Sequence, residues 1–72
     1  MTEQEKISLL EETMELEAGT LHMEDALMDY PEWDSIAALA FIALMDEKFH
    51  KTVSGAEIEA FQTVADAVKI ME

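Results

Sequence analysis

A carboxylate followed at once by a hydroxyl, Asp34-Ser35, stands where a loop gives way to a long apolar run in "YPEWDSIAALAFIALMDEKF". Two roles suit such a pair. The hydroxyl can cap a helix by accepting from one of its first free amides, or it can be the point where a prosthetic group is attached. A third role, nucleophilic catalysis, needs a base within hydrogen-bond reach and a group to orient it. Only His22 and His50 are present, neither in a recognisable motif, and G-x-S-x-G is absent. Serine catalysis is therefore not expected. The two histidines also lie outside any metal-ligand spacing and have no cysteine to join them, so no zinc site is expected. No segment fits the twelve-residue EF-hand loop with its central Gly and terminal Glu, which removes the obvious calcium reading of an acidic chain.

The charge balance narrows the partners. Seventeen acids face four lysines and no arginine, for a net charge of -13. Nucleic acid is excluded as a natural partner, because phosphate contacts need Lys and Arg, and an anionic membrane surface would repel the chain. A basic protein surface would attract it and speed encounter. The longest uncharged stretch, Ser35 to Met45, is too short to span a bilayer, so no membrane insertion is expected. The start "MTEQEK" lacks the basic and apolar regions of a signal peptide; the cytoplasm is the expected location and a monomer the expected state.

These residues must be positioned by a single small domain, residues 1–72. A chain this short buries only about 60% of its unfolded surface, and without cysteine no disulfide can staple it. Glycine and proline are scarce, while Ala, Leu, Glu and Met dominate, which favours helix. "TEQE", "SGAE" and "TVAD" each set a hydroxyl three residues before an acid, the capping-box spacing. The expected fold is all-α, a small four-helix bundle with a long loop between the first and second helices. The first helix is expected from Glu3 to Glu17, closed by Gly19. The second should run from Ser35 to His50, with Ile36, Leu39, Ile42, Met45 and Phe49 inward. A short third covers Gly55 to Ala60, and the last runs from Val64 to Met71 on an i, i+3, i+4, i+7 stripe. The connection between Gly19 and Asp34 holds Leu21, Leu27, Tyr30 and Trp33, which should pin it over the helices; its length alone marks it as a candidate for function. A helical turn fits Glu24 to Met28. The five internal methionines read as gap-fillers of the core, or as a core able to open for an apolar guest.

Taken in order, these features resemble the acyl carrier protein family, the phosphopantetheine-binding carrier domains. Asp-Ser-Ile opens the second helix, "DEKF" closes it, and "TVAD" opens the last, at the family's spacings and over nearly the whole chain. "PEWDS" is most similar to stand-alone carriers or those of the polyketide and non-ribosomal type. The resemblance implies that Ser35 carries 4′-phosphopantetheine as a phosphodiester, installed from coenzyme A by a phosphopantetheinyl transferase with magnesium, and that Asp34 is the family's acid before the serine. The function implied is an acyl carrier for fatty-acid, polyketide or related biosynthesis. The other partners implied are acyl- or aminoacyl-loading and acyl-processing enzymes with basic or mixed basic and apolar docking surfaces.

One departure bears on those partners. Early in the second helix, where many fatty-acid carriers bear acids, this chain has Ala37 and Ala40. The expected partner therefore meets Ile36, Ala37 and Ala40 through an apolar contact near Ser35 and aims its basic residues at Asp46 and Glu47. Two other readings stay open at this point: an aminoacyl or peptidyl carrier, and an acidic helical interaction module in which Ser35 is only a helix cap.

Overall fold

The computed structural model describes residues 1–72. Four helices follow one another without a strand: α1 (Glu3–Thr13), α2 (Ser35–Phe49), α3 (Gly55–Glu59) and α4 (Val64–Ile70), with a 3₁₀ turn at Leu27–Asp29 inside the long connection. This is the small all-α bundle that the capping signals and composition indicate. No helix is long and apolar enough to cross a membrane.

Each helix starts where a side chain can satisfy its first free amides. Thr2 and Glu5 form a full capping box on α1, Thr2 Oγ1 accepting from the Glu5 amide and Glu5 Oε1 from the Thr2 amide. Ser54 Oγ accepts from the Glu57 amide at the head of α3. At α4 the acid does the bonding: Asp66 Oδ2 accepts from the amides of Gln62 and Thr63.

α1 ends four residues earlier than its composition suggests. The amide of Glu15 returns to the Glu12 carbonyl and that of Leu16 to the Glu11 carbonyl, a Schellman closure. The left-handed position falls on Glu15, φ 58°, not on Gly19, which takes φ 88° in the turn beyond. Stopping there lets Leu21 and Leu27 fold back into the core. Glu11 secures the reversal: it is buried, and its Oε2 accepts from the Leu21 amide at 2.9 Å while Oε1 has no partner. Glu15 lies outside α1 and so does not share a helix face with Glu11. Lys51 Nζ donates to the Ile70 carbonyl at 3.1 Å and ties the end of α2 to the end of α4.

The long connection is tied down by backbone. Leu27 donates to the Gln62 carbonyl, Val64 to Asp25 and Ala65 to Met23, so the loop lies against the start of α4. α1 packs on both α2 and α4, and Leu10, Leu27, Phe41, Met45, Val64, Ala67 and Met71 are sealed between them. Met14, Met45 and Met71 fill the core, whereas Met28 is exposed.

Candidate functional site

Ser35 is the first residue of α2, and Asp34 is its cap. Asp34 is extended, φ -116° and ψ -170°, and its Oδ1 accepts from the Ala37 amide at 2.9 Å. The Asp34 carbonyl takes the Ala38 amide. Capping is thus performed by the carboxylate, which leaves the Ser35 hydroxyl exposed and without a hydrogen bond. Ser54, the other serine at a helix start, differs on this point, since its hydroxyl is engaged as a cap. The amides of Ser35 and Ile36 have no protein acceptor either, being the first two of the helix.

Three aromatic rings hold this junction in place. Trp33, two residues before Ser35, meets Phe41 of α2 edge-on at 5.9 Å between centroids and Phe61 at 6.4 Å, and Phe41 meets Phe61 edge-on at 5.7 Å. Such geometries contribute about 0.5–1.5 kcal/mol a pair beyond burial. The loop, α2 and the segment before α4 are locked together beneath the hydroxyl, so Ser35 stands on a rigid base while its own side chain is free.

Beside it a groove of about 570 Å³ opens between α2 and α3. Trp33, Ala38, Leu39, Ile42, Ile58 and Phe61 supply its apolar wall, and Ser35 and Asp34 stand at its edge. Met28 overhangs it from the 3₁₀ turn.

The outward side of α2 departs from the expected phase. Ile36 and Leu39 are not inward but 76% and 68% exposed, and Ala37 is buried at 4%. Phe41 and Met45 do face the core with Ala37, while Ile42 and Phe49 are partly covered. Ala37 is therefore no partner contact, and an acid placed there would bury a carboxylate. Ala40, Asp46 and Glu47 are exposed with Ile36, as a contact surface requires. The stretch from Ser35 to Met45 is apolar on every side, so its composition leaves the rotation of the helix undefined. The signal lay downstream: stepping back from the charged Asp46 and Glu47 by threes and fours gives Ala43, Ala40, Leu39 and Ile36, the exposed stripe.

The histidines sit apart from Ser35. His50 closes α2 at its far end in the left-handed region, φ 54°. His22 belongs to a loop cluster in which Asp25 Oδ2 accepts from the His22 amide at 3.0 Å and from the Tyr30 hydroxyl at 2.9 Å; His22 Nδ1 lies 3.5 Å from the same oxygen. The tyrosine bond, then the amide bond, holds Asp25 below its usual pKa, and the same carboxylate pushes Tyr30 up. This cluster fastens the loop and has no hydrogen bond to Ser35. No group of three His, Cys, Asp or Glu side chains converges with metal-binding geometry.

Comparison with protein-family models, with curated proteins and with solved structures finds no match.

Proposed function

We propose that the chain is an acyl carrier protein, modified at Ser35 by 4′-phosphopantetheine and not itself an enzyme. The observation that carries this reading is the free Ser35 hydroxyl at the first position of α2, released from capping by Asp34. An attachment point must be reachable by a transferase and rigidly presented, and Ser35 has both properties. The amides of Ser35 and Ile36, at the positive end of a fifteen-residue helix, favour an attached phosphodiester. When attached, the arm supplies the thiol on which an acyl group rides as a thioester; the protein has no cysteine to compete for it. The apolar groove beside Ser35 offers the arm and an apolar cargo a surface to lie on.

The partners are the transferase that loads Ser35 and the enzymes that charge and process the acyl group in fatty-acid, polyketide or related biosynthesis. The cytoplasm, where coenzyme A is at hand, is the place of action. Incubation with coenzyme A, magnesium and a broad-specificity phosphopantetheinyl transferase tests the reading. The unaltered protein should gain the mass of one phosphopantetheine, and Ser35→Ala none. An unaltered protein that gains nothing, or a Ser35→Ala protein that gains as much, overturns it.

A further inference from the structure

The methionines divide sharply by access. Met14, Met45 and Met71 are sealed at 2%, 0% and 0% exposure, and Met23 is half-buried against the same core. Met1 and Met28 stand out at 63% and 81%. Met1 lies at the head of α1 beside Gln4, Ser8 and Glu12. Met28 is the most exposed large apolar side chain of the protein, and it overhangs the groove whose wall includes Trp33, Leu39, Ile42 and Phe61.

Its turn is not loose. The neighbouring Leu27 is sealed and its amide donates to the Gln62 carbonyl, while the amides of Asp29 and Tyr30 close the 3₁₀ turn on the Ala26 and Leu27 carbonyls. A fixed backbone therefore holds a flexible thioether at the mouth of the groove. That thioether differs from every other side chain of the wall in one chemical respect: its sulfur can be oxidised. The chain has no cysteine, so no thiolate of its own competes for an oxidant. The groove is edged by Asp34 and Glu59 and by no base. It repels an anionic guest and suits an uncharged apolar one.

We propose that Met28 is an oxidation site that sets the hold of the groove on an uncharged apolar guest. The oxidant is a hydroperoxide. Its O–O bond breaks as the Met28 sulfur takes the terminal oxygen, the proton on that oxygen passes to the departing one, and water or an alcohol leaves. The sulfur is oxidised to the sulfoxide and the peroxide is reduced. The sulfoxide is polar and chiral, so the wall at Met28 loses the gain from covering an apolar surface. Methionine sulfoxide reductases reverse the step. This goes beyond the carrier reading and does not depend on it, because the groove is formed by the unloaded chain.

The probes are hydrogen peroxide and the neutral apolar dye N-phenyl-1-naphthylamine. Dye uptake is read by energy transfer from Trp33, the single tryptophan, in the groove wall. Mass-spectrometric mapping over a peroxide time course should show Met1 and Met28 oxidised roughly tenfold faster than Met14, Met45 and Met71. Circular dichroism should be unchanged at that stage. The Kd for the dye should then rise severalfold, as it should in Met28→Gln, which sets a polar side chain of similar length there. Met28→Leu should keep its Kd through the same treatment although Met1 is still oxidised. Reductases for both sulfoxide epimers should return the unaltered protein to its starting Kd. Met28 oxidised no faster than the sealed methionines overturns the proposal. So does a Kd that peroxide leaves unchanged, a Met28→Leu protein that weakens as much as the unaltered one, or an unoxidised protein that takes up no dye. Loading of Ser35 is not needed for any of these readouts, so the carrier reading stands or falls separately.

Discussion

Asp34 and Ser35 divide two tasks that a sequence leaves assigned to either residue. Both side chains are able caps, and only the backbone geometry decides that Asp34 takes the Ala37 amide. The consequence for stability is asymmetric. Asp34→Ala should destabilise the protein by about 1 kcal/mol, while Ser35→Ala, which removes no hydrogen bond, should leave the melting temperature nearly unchanged. Thermal unfolding of the two variants side by side checks this; a Ser35→Ala loss equal to that of Asp34→Ala would return the hydroxyl to a capping role. Glu15 offers a second test. A glutamate in the left-handed region is strained by about 1–2 kcal/mol, which glycine avoids. Glu15→Gly should therefore stabilise the closure of α1 by about 1 kcal/mol, seen as a higher midpoint in urea; an unchanged or lower midpoint would show that the turn is not strained at this residue.

The elements were legible where a local signal marks a boundary. Thr2 and Ser54 announce α1 and α3 by their spacing to Glu5 and Glu57, and Asp66 marks the start of α4. The end of α1 was hidden, because Glu15 and Glu17 are good helix formers and only the burial of Glu11, Leu21 and Leu27 makes the chain turn early. The outward face of α2 was hidden for the opposite reason, an apolar run with no polar residue to show which side meets water. The long connection was correctly expected to be pinned, but its fastening by the Asp25–Tyr30 bond depends on a tertiary approach that spacing does not reveal. That bond has a pH signature. Asp25 is depressed in the fold, so its contribution is present above the ordinary aspartate value of 3.8 and is lost as pH falls through the lowered value. Tyr30 is raised, so its contribution is present below 10.0 and is lost as pH rises through the raised value. Tyr30→Phe should accordingly melt at a lower temperature than the unaltered protein from about pH 5 to 9, with the gap closing at both extremes. A gap that is constant across the whole range would mean that the bond does not fasten the loop.

The molecule as a whole has a radius of gyration of 10.8 Å, close to the roughly 11 Å of a compact chain of this size. Into that volume it brings a net charge of -13, with Lys48, Lys51 and Lys69 near the carboxyl ends of α2 and α4 and no Lys or Arg between Lys6 and Lys48. Such asymmetry weakens the fold by self-repulsion and favours a basic partner. Moderate salt, and divalent cations more strongly, should raise the melting temperature; a melting temperature flat across that range would mean that the acids are spread widely enough to cost little. Composition made the all-α fold readable, whereas the free hydroxyl, the groove and the exposed stripe of α2 emerge only once the chain is folded. The decisive measurement is the position of the group after loading with coenzyme A and a phosphopantetheinyl transferase. Cleavage after lysine yields one fragment from Ile7 to Lys48 that contains Ser8 and Ser35, while Ser54 falls in another. Fragmentation should place a single phosphopantetheine on Ser35, with Ser8 and Ser54 unmodified. A group found on Ser8 or Ser54, or on none of the three, contradicts the assignment of this protein as a carrier acting through Ser35.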